Sequence, residues 1–356
     1  MSIEPRKGII EMDEYNPPLE GRRDQLRLDF NENTIGCSPN VMKAINNIRE
    51  EDIAAYPEYS KFKAKLANSL DISPKNLMIT NATDEAIMII MQTYIEKNQE
   101  VIIPVPTFAM FKFYSQLVEA KIQEIIYTRK LTFPTKSVLD AITKKTKLVI
   151  LCNPNNPTAT LIDRKNIIKI IEKAAKNDSL VLLDEAYYQY TGVNYLDLID
   201  RYDNLVIIRT FSKAYGMGGI RLGYAVAQEE VIKNMLKVGS PYSVSTVAVV
   251  AGSAALDDET YVQWYVNEVK KAKKYIYTEL KKLKINTYPS TANFLIAKFP
   301  RKADLIEKRL REKGILVRNR SKYPLLKDCL RIGIGTLKQT KYFIATLKEV
   351  MRWIMD

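Results

Sequence analysis

Lys213 lies in the run Arg209-Thr-Phe-Ser-Lys-Ala-Tyr-Gly-Met-Gly-Gly-Ile-Arg221, and Asp184 stands 29 residues before it in Leu180-Val-Leu-Leu-Asp-Glu-Ala-Tyr187. A lysine amine condenses with a carbonyl carbon and carries protons, and a carboxylate can hold a nearby ring nitrogen protonated. Asn156 comes earlier, in Cys152-Asn-Pro-Asn-Asn-Pro-Thr158. All three lie at or just beyond the end of a short apolar run. Groups suited to an anion surround them in sequence. Arg221 offers a bidentate fork, Thr210 and Ser212 offer hydroxyls, and the amides of Thr83 and Asp84 stand at a helix start. Gly216, Gly218 and Gly219 permit a tight turn between lysine and arginine. Phe108, after Pro104-Val-Pro-Thr, offers a flat face.

Each signal alone has an ordinary explanation. A Ser-Lys pair is usually a solvated turn, an Asp-Glu after a strand usually starts a helix, and a lone Phe is usually core. The ordered set on successive strands is harder to explain that way. An imine-forming lysine, a carboxylate for a pyridine nitrogen, an anion cradle and an aromatic cover are what pyridoxal phosphate requires. The set therefore predicts a Schiff-base site for that cofactor, in an enzyme acting on amines. The chain has no histidine, which excludes Ser-His-Asp and Cys-His catalysis and imidazole proton shuttles. Cys37, Cys152 and Cys329 lie far apart without CxxC spacing, so neither a disulfide framework nor a metal site is expected.

The elements that must position these residues read as an α/β fold. Short apolar runs at Leu77–Thr80, 100–103, 122–127, 148–151, 180–183, 205–208 and 222–226 read as seven strands. Helical patterns between them, such as 108–120 and 164–176, imply a buried, mostly parallel sheet. Ligands of such sheets bind outside the carboxyl ends of the strands, where Asn156, Asp184 and Lys213 fall. Thr83 or Asp84 is placed to cap the helix that follows the first strand, and another helix is expected from Pro39 to near Glu50. A long helix over 258–283 leads to a second α+β unit, with strands at 294–299, 315–318 and 329–334 and helices at 303–313 and 340–355. We expect a large domain over 40–257. The remainder, 1–39 and 258–356, forms a smaller domain with an N-terminal arm.

The net charge of +13 raises the question of nucleic acid, but the lysines are scattered. Their densest stretch, 270–284, alternates with apolar residues at helical spacing and reads as a solvated helix face. No apolar stretch approaches the roughly 20 residues of a spanning helix, and the N-terminus lacks the apolar core of a secretory signal. A cytoplasmic protein with neither nucleic-acid nor membrane partners is the expectation.

At these residues the chain resembles the fold-type I pyridoxal-phosphate enzymes of the class I/II aminotransferases, and more narrowly the histidinol-phosphate aminotransferase family. The likeness includes Asp29-Phe-Asn-Glu-Asn, Tyr56-Pro-Glu, Thr80 to Glu85, Pro106-Thr-Phe, Asn153 to Thr158, Asp184-Glu-Ala-Tyr187, Thr210 to Arg221 and Leu330-Arg-Ile-Gly-Ile-Gly-Thr336. It implies that Lys213 forms the imine, that Asp184 meets the pyridine nitrogen, and that Asn156 and Tyr187 bond the ring oxygen. It implies Phe108 stacked on the ring, where the family usually has Tyr. Thr83, Asp84, Ser212 and Arg221 would hold the phosphate, with Tyr56 reaching in from the second subunit of a homodimer. Tyr15 matches a substrate-binding tyrosine from the partner, and Arg331 matches the arginine for the substrate's acidic group. Two departures stand out. Ala159 replaces the usual Gly after Asn-Pro-Thr, which suggests a small backbone adjustment. Tyr342, beside Lys341, occupies the position of a second substrate arginine, eleven residues after the first.

The resemblance implies an aminotransferase moving an amino group from histidinol phosphate or an aromatic amino acid to a keto acid, 2-oxoglutarate, in two half-reactions. A decarboxylase of the threonine-phosphate type shares the fold and most of these residues and is the alternative. A transcriptional regulator is a third class, but the resemblance begins by about Tyr15 and leaves no room for a DNA-binding head upstream.

Overall fold

The computed structural model describes residues 3–14 and 17–355, leaving aside the side chains of residues 7, 354 and 355. Seven strands form its central sheet: β1 (Leu77–Thr80), β2 (Glu100–Val105), β3 (Lys121–Ile126), β4 (Thr146–Cys152), β5 (Leu180–Asp184), β6 (Leu205–Thr210) and β7 (Gly223–Ala227). Their spatial order is β1-β7-β6-β5-β4-β2-β3. Strands β2 to β6 run parallel, while β7 is antiparallel to both β6 and β1. The chain is thus an α/β protein with a mostly parallel seven-stranded sheet.

Every residue of β5, β6 and β7 is buried, because helices cover both faces. That double cover makes the strands continuous apolar runs instead of alternating ones. Val101, Leu148, Leu182 and Val206 face Ile87, Ile90, Phe111 and Met235 on one side. Ile102, Val149, Val181 and Ile207 face Leu66, Ile167, Ile170 and Ala251 on the other.

A helix over Glu259–Lys282 leads to an antiparallel sheet of β8 (Asn286–Thr287), β9 (Phe294–Lys298), β10 (Arg318–Asn319) and β11 (Cys329–Gly333), in the order β10-β11-β9-β8. Helices Ala303–Glu312 and Leu337–Met355 complete this unit, whose core includes Tyr265, Phe294, Ile306, Leu330 and Phe343. In the long helix Val262, Tyr265, Val266, Val269, Ile276 and Leu280 turn inward, while Lys270, Lys271, Lys274, Lys281 and Lys282 stay exposed.

Two expected elements divide. The helix begun at Pro39 is capped by the Ser38 side chain and stops at Asn46, with a separate helix over Glu50–Ala54. The strand expected at 315–318 becomes two. Ile315–Leu316 pairs in parallel with Leu26–Arg27, while Arg318–Asn319 pairs with β11. A short run can change partners when an arm from elsewhere in the chain supplies a second edge.

That arm runs between the two units. The Leu28 N–H donates to Leu316 O at 2.8 Å, and Leu28 O accepts from the Gly333 N–H at 2.8 Å. Asn33 Nδ2 donates to Ala214 O, beside Lys213, at 3.1 Å. Gly216 (φ +72°) meets the arm at Gly36, and a Cβ there would collide with the Gly36 carbonyl and the Cys37 nitrogen. Replacing Gly216 with Ala combines left-handed strain with a backbone clash. Urea unfolding should show a loss of about 2 kcal/mol or more.

Candidate active site

A cavity of about 630 Å³ opens at the carboxyl ends of β4, β5 and β6. The strand register places Cys152, Asp184 and Ile208 side by side across that edge. Asp184, the last residue of β5, is 2% exposed, and its Oδ1 accepts the Ala186 N–H at 2.9 Å. Burial lifts its pKa to about 7 against the lowering effect of that hydrogen bond. Lys213 lies three residues past β6. Its Nζ donates to the Phe30 carbonyl at 3.0 Å and sits 5.7 Å from the centre of the Tyr187 ring. Burial first, and Arg331 second, push this amine down to about 8.

The residues that the sequence singled out for an anion gather at one end of this cavity, with one correction to their local structure. Neither Thr83 nor Asp84 caps the Ala82–Tyr94 helix. Asn81 is the N-cap residue, and the other two lie in the first turn. Their backbone N–H groups still belong to the set a helix start leaves without intrahelical partners. Thr83, Asp84, Thr210, Ser212, Gly218, Gly219 and Arg221 line this end of the cavity. Thr210 Oγ1 accepts the Ser212 N–H at 3.0 Å and donates to Ser212 Oγ at 2.9 Å. The partly exposed Arg221 pairs with the Asp84 carboxylate at 2.8 Å and approaches Ser212 Oγ at 3.4 Å.

Phe108, at the start of the Ala109–Leu117 helix, forms one wall and meets Phe111 edge-on at 5.7 Å. Tyr187 packs edge-on against Phe294 at 5.1 Å, and its hydroxyl accepts from Asn31 Nδ2 at 3.0 Å. Burial raises the Tyr187 phenol well above its usual range. Asn156 Oδ1 accepts from Arg331 Nη1 at 2.5 Å, and Arg331 Nη2 donates to the Asp29 carbonyl. Arg331 Nε is buried without a hydrogen-bond partner among the described residues. Burial and the neighbouring Arg320 both act against its charge.

Of the residues singled out in the sequence, Lys213, Asp184, Tyr187, Asn156, Thr83, Asp84, Phe108, Thr210, Ser212, Arg221 and Arg331 all line this one cavity. Tyr56 does not. It is 76% exposed and stacks on Tyr242 at 4.5 Å. Tyr15 lies outside the described residues. Ala159 takes a left-handed conformation (φ +58°), so the adjustment is borne as local strain of about 1 kcal/mol. Tyr342 is 54% exposed, and Lys341 lies over the Tyr275 ring at 6.0 Å. Neither Tyr342 nor Lys341 lines the cavity.

The mouth holds groups that sequence reasoning missed: Arg22, Glu32, Arg318, Arg320 and Tyr323. Arg22 binds Asp29 at 2.8 Å and Glu32 at 2.6 Å while lying 3.9 Å from the centre of the Phe30 ring. Arg318 sits on the other short contact to that ring, at 5.7 Å, and is the direct cross-strand partner of Arg331. Alternation along a strand was the available signal, since Arg318 and Arg320 are two residues apart.

The donor set fits pyridoxal phosphate: a buried carboxyl for a ring nitrogen, an amine, a flat aromatic wall, and amides, hydroxyls and a guanidinium for a phosphate. Residues 23–347 match the aminotransferase class I and II family, and the chain belongs to it. It is a pyridoxal-phosphate-dependent aminotransferase. Among curated proteins it is 37% identical over 354 residues to a histidinol-phosphate aminotransferase of Caldanaerobacter subterraneus subsp. tengcongensis, covering 97% of each chain. It is 33% identical to the Bacillus cytotoxicus histidinol-phosphate aminotransferase, covering 92% of this chain and 89% of that protein. In fold it is similar to the Sinorhizobium meliloti histidinol-phosphate aminotransferase solved with pyridoxal 5'-phosphate. There the TM-score is 0.86 at 24% identity, over 92% of this chain and 91% of the other. The Porphyromonas gingivalis L-threonine-O-3-phosphate decarboxylase shares the fold, with a TM-score of 0.80 at 23% identity over 91% of this chain and 99% of the other.

In the cofactor-free protein, Asp184 keeps a proton between pH 3.8 and about 7 that the unfolded chain gives up, so its contribution to stability falls as pH rises through that window. Asp184→Asn should therefore gain stability over the natural chain at pH 8 relative to pH 5, on the order of a few kcal/mol. Lys213 acts in the opposite sense between about 8 and 10.5, where the unfolded chain is the more protonated state. Urea titrations of both proteins at pH 5 and 8 measure the difference.

Proposed function

We propose that this aminotransferase takes its amino group from histidinol phosphate and passes it to 2-oxoglutarate. The observation that carries this reading is the juxtaposition of Arg318 and Arg331 on adjacent strands at the cavity mouth. It supplies two guanidiniums for an anionic substrate without any help from position 342. An aromatic amino acid, with one carboxylate and an apolar tail, leaves much of that charge unanswered.

Bound pyridoxal phosphate supplies an aldehyde that exchanges nitrogen with amines and a pyridine ring that withdraws electrons from the carbon losing its proton. Asp184 holds the ring nitrogen protonated, and pairing with that cation keeps the carboxyl ionised where burial alone would protonate it. Asn156 and Tyr187 bond the ring oxygen. Phe108 covers one face of the ring, and Thr83, Asp84, Thr210, Ser212 and Arg221 fix the phosphate. Lys213 Nζ is the amine that holds the cofactor at rest and then takes and returns the substrate Cα proton. A pKa depressed to about 8 suits that duty, because a useful fraction of the amine is neutral near pH 7. With no histidine in the chain, no imidazole competes for the role.

The working unit is proposed to be a cytoplasmic homodimer, divided into a large domain over 40–257 and a small one over 1–39 and 258–356. The exposed Tyr56–Tyr242 stack is available to a second copy. Tyr56 and Tyr15 would then complete the phosphate and substrate contacts of the partner's cavity.

Lys213→Ala should remove the visible absorbance of the lysine-bound cofactor and lower turnover by about 10⁴-fold or more. With 2-oxoglutarate as acceptor, kcat/KM should be higher for histidinol phosphate than for phenylalanine on the same preparation. The reverse order would overturn the substrate. Release of carbon dioxide without need of a keto acid would overturn the reaction.

A further inference from the structure

Ala159 closes the turn that carries Asn156, and it does so in a conformation that a residue with a Cβ avoids. Its φ is +58°, in the left-handed region, and its methyl is buried. The reversal lets two main-chain bonds close the turn. The Ala159 N–H donates to Asn155 O at 2.7 Å, and the Asn155 N–H donates to Thr160 O at 2.9 Å. Asn156 lies inside that loop. Its Oδ1 accepts from Arg331, which leaves its Nδ2 as the donor for the cavity.

The Ala159 carbonyl is filled from the smaller unit. It accepts the Thr291 N–H at 3.1 Å and the Thr291 hydroxyl at 2.9 Å, so both of its lone pairs are used. Thr291 sits in the loop between β8 and β9, and the long helix fixes that loop just before it. Tyr277 OH donates to Tyr288 O at 2.7 Å, and Lys273 Nζ to Ser290 O at 3.3 Å. Rotating Ala159 into a relaxed conformation would swing its carbonyl away from both Thr291 donors. Every residue but proline brings an N–H to position 291, whereas the second bond needs a hydroxyl. The penalty for a Cβ in the left-handed region and the net worth of one hydrogen bond are of the same order. The second bond is therefore large enough to decide the shape of the turn.

We infer that Thr291 is a positioning residue for the cofactor. Its hydroxyl holds Ala159 in the left-handed conformation and so keeps Asn156 directed at the ring oxygen. This rests on the cofactor role given to Asn156 above and adds to it a control exerted from the smaller unit.

The test compares cofactor-loaded Thr291→Val, Thr291→Ser and Asn156→Ala with the natural enzyme, each with and without Ala159→Gly. Thr291→Val keeps the side-chain shape and the main-chain bond but loses the hydroxyl. A hydrogen bond donated to the ring oxygen favours its ionised form, so weakening it should raise the pH midpoint of the cofactor's visible absorbance. Thr291→Val should raise that midpoint by about 0.5 and weaken cofactor binding about 3- to 10-fold. It should lower kcat by a similar factor, with KM for the amino donor little changed. Thr291→Ser should stay close to the natural enzyme. Glycine takes the left-handed conformation without help, so with Ala159→Gly the same Thr291→Val change should leave midpoint and cofactor affinity unmoved. Urea unfolding of the cofactor-free proteins should follow the same pattern, a loss from Thr291→Val with Ala159 in place and almost none with glycine there. Equal losses in both backgrounds would overturn the inference, as would an unmoved midpoint in Thr291→Val while Asn156→Ala moves it. If Asn156→Ala itself leaves the midpoint where it was, the role given to Asn156 fails, and the urea comparison alone decides the hold on the turn.

Discussion

Asp184 is a carboxyl group with almost no water around it, and much of the molecule is arranged to make that tolerable. It ends a strand whose every residue is buried, so its charge must be met from within. The Ala186 N–H meets part of it. Glu185, next in sequence, is equally buried and points into the other face of the sheet. There Arg209 binds it at 2.6 Å, and the same guanidinium reaches Asn194 Oδ1 at 2.8 Å and lies 3.7 Å from the Tyr188 ring centre. A buried ion pair repays its desolvation only with added hydrogen bonds, and here they gather on the Arg209 side, since Glu185 Oε1 has no partner among the described residues. The pair also links the ends of β5 and β6, the strands that deliver Asp184 and Lys213.

The fold was legible where its physics is local. Short continuous apolar runs, bounded by turn formers and alternating with helical patterns, read as strands buried on both faces, and the polar residues that end them then fall at the carboxyl edge. Asp184, Asn156 and Lys213 were readable for that reason. Arg318 and Arg320 were not, because their meaning comes from the register of a short antiparallel pair. That register is invisible until the arm at Leu26–Arg27 claims Ile315–Leu316 as its own partner. The role of Tyr342 stayed open in the sequence for the converse reason. Eleven residues of spacing name a position on a helix but not the direction it faces, and this position faces solvent.

The arm explains why the cavity is a joint product of both units. Asn31 reaches the Tyr187 hydroxyl, Asn33 the carbonyl after Lys213, and Phe30 lies between two guanidiniums at the mouth. Asn31 itself sits in the left-handed region (φ +57°), where asparagine is among the residues that tolerate it best. Its carbonyl accepts from Asn293 Nδ2 at 3.0 Å, at the foot of β9. One stretch of extended chain thereby fastens the sheet edge to the smaller unit, and the Arg331 contact to Asp29 O closes the loop.

The partner of Lys213 within this arm is a main-chain oxygen, that of Phe30. Every amino acid brings the same carbonyl to that place. Sequence drift at position 30 can alter the ring between the arginines, and with it the taste of the mouth for one substrate or another. It cannot delete the acceptor that steadies the amine. Recognition is written in side chains and is open to revision, while the anchorage of the reactive nitrogen is written in backbone and is inherited unchanged.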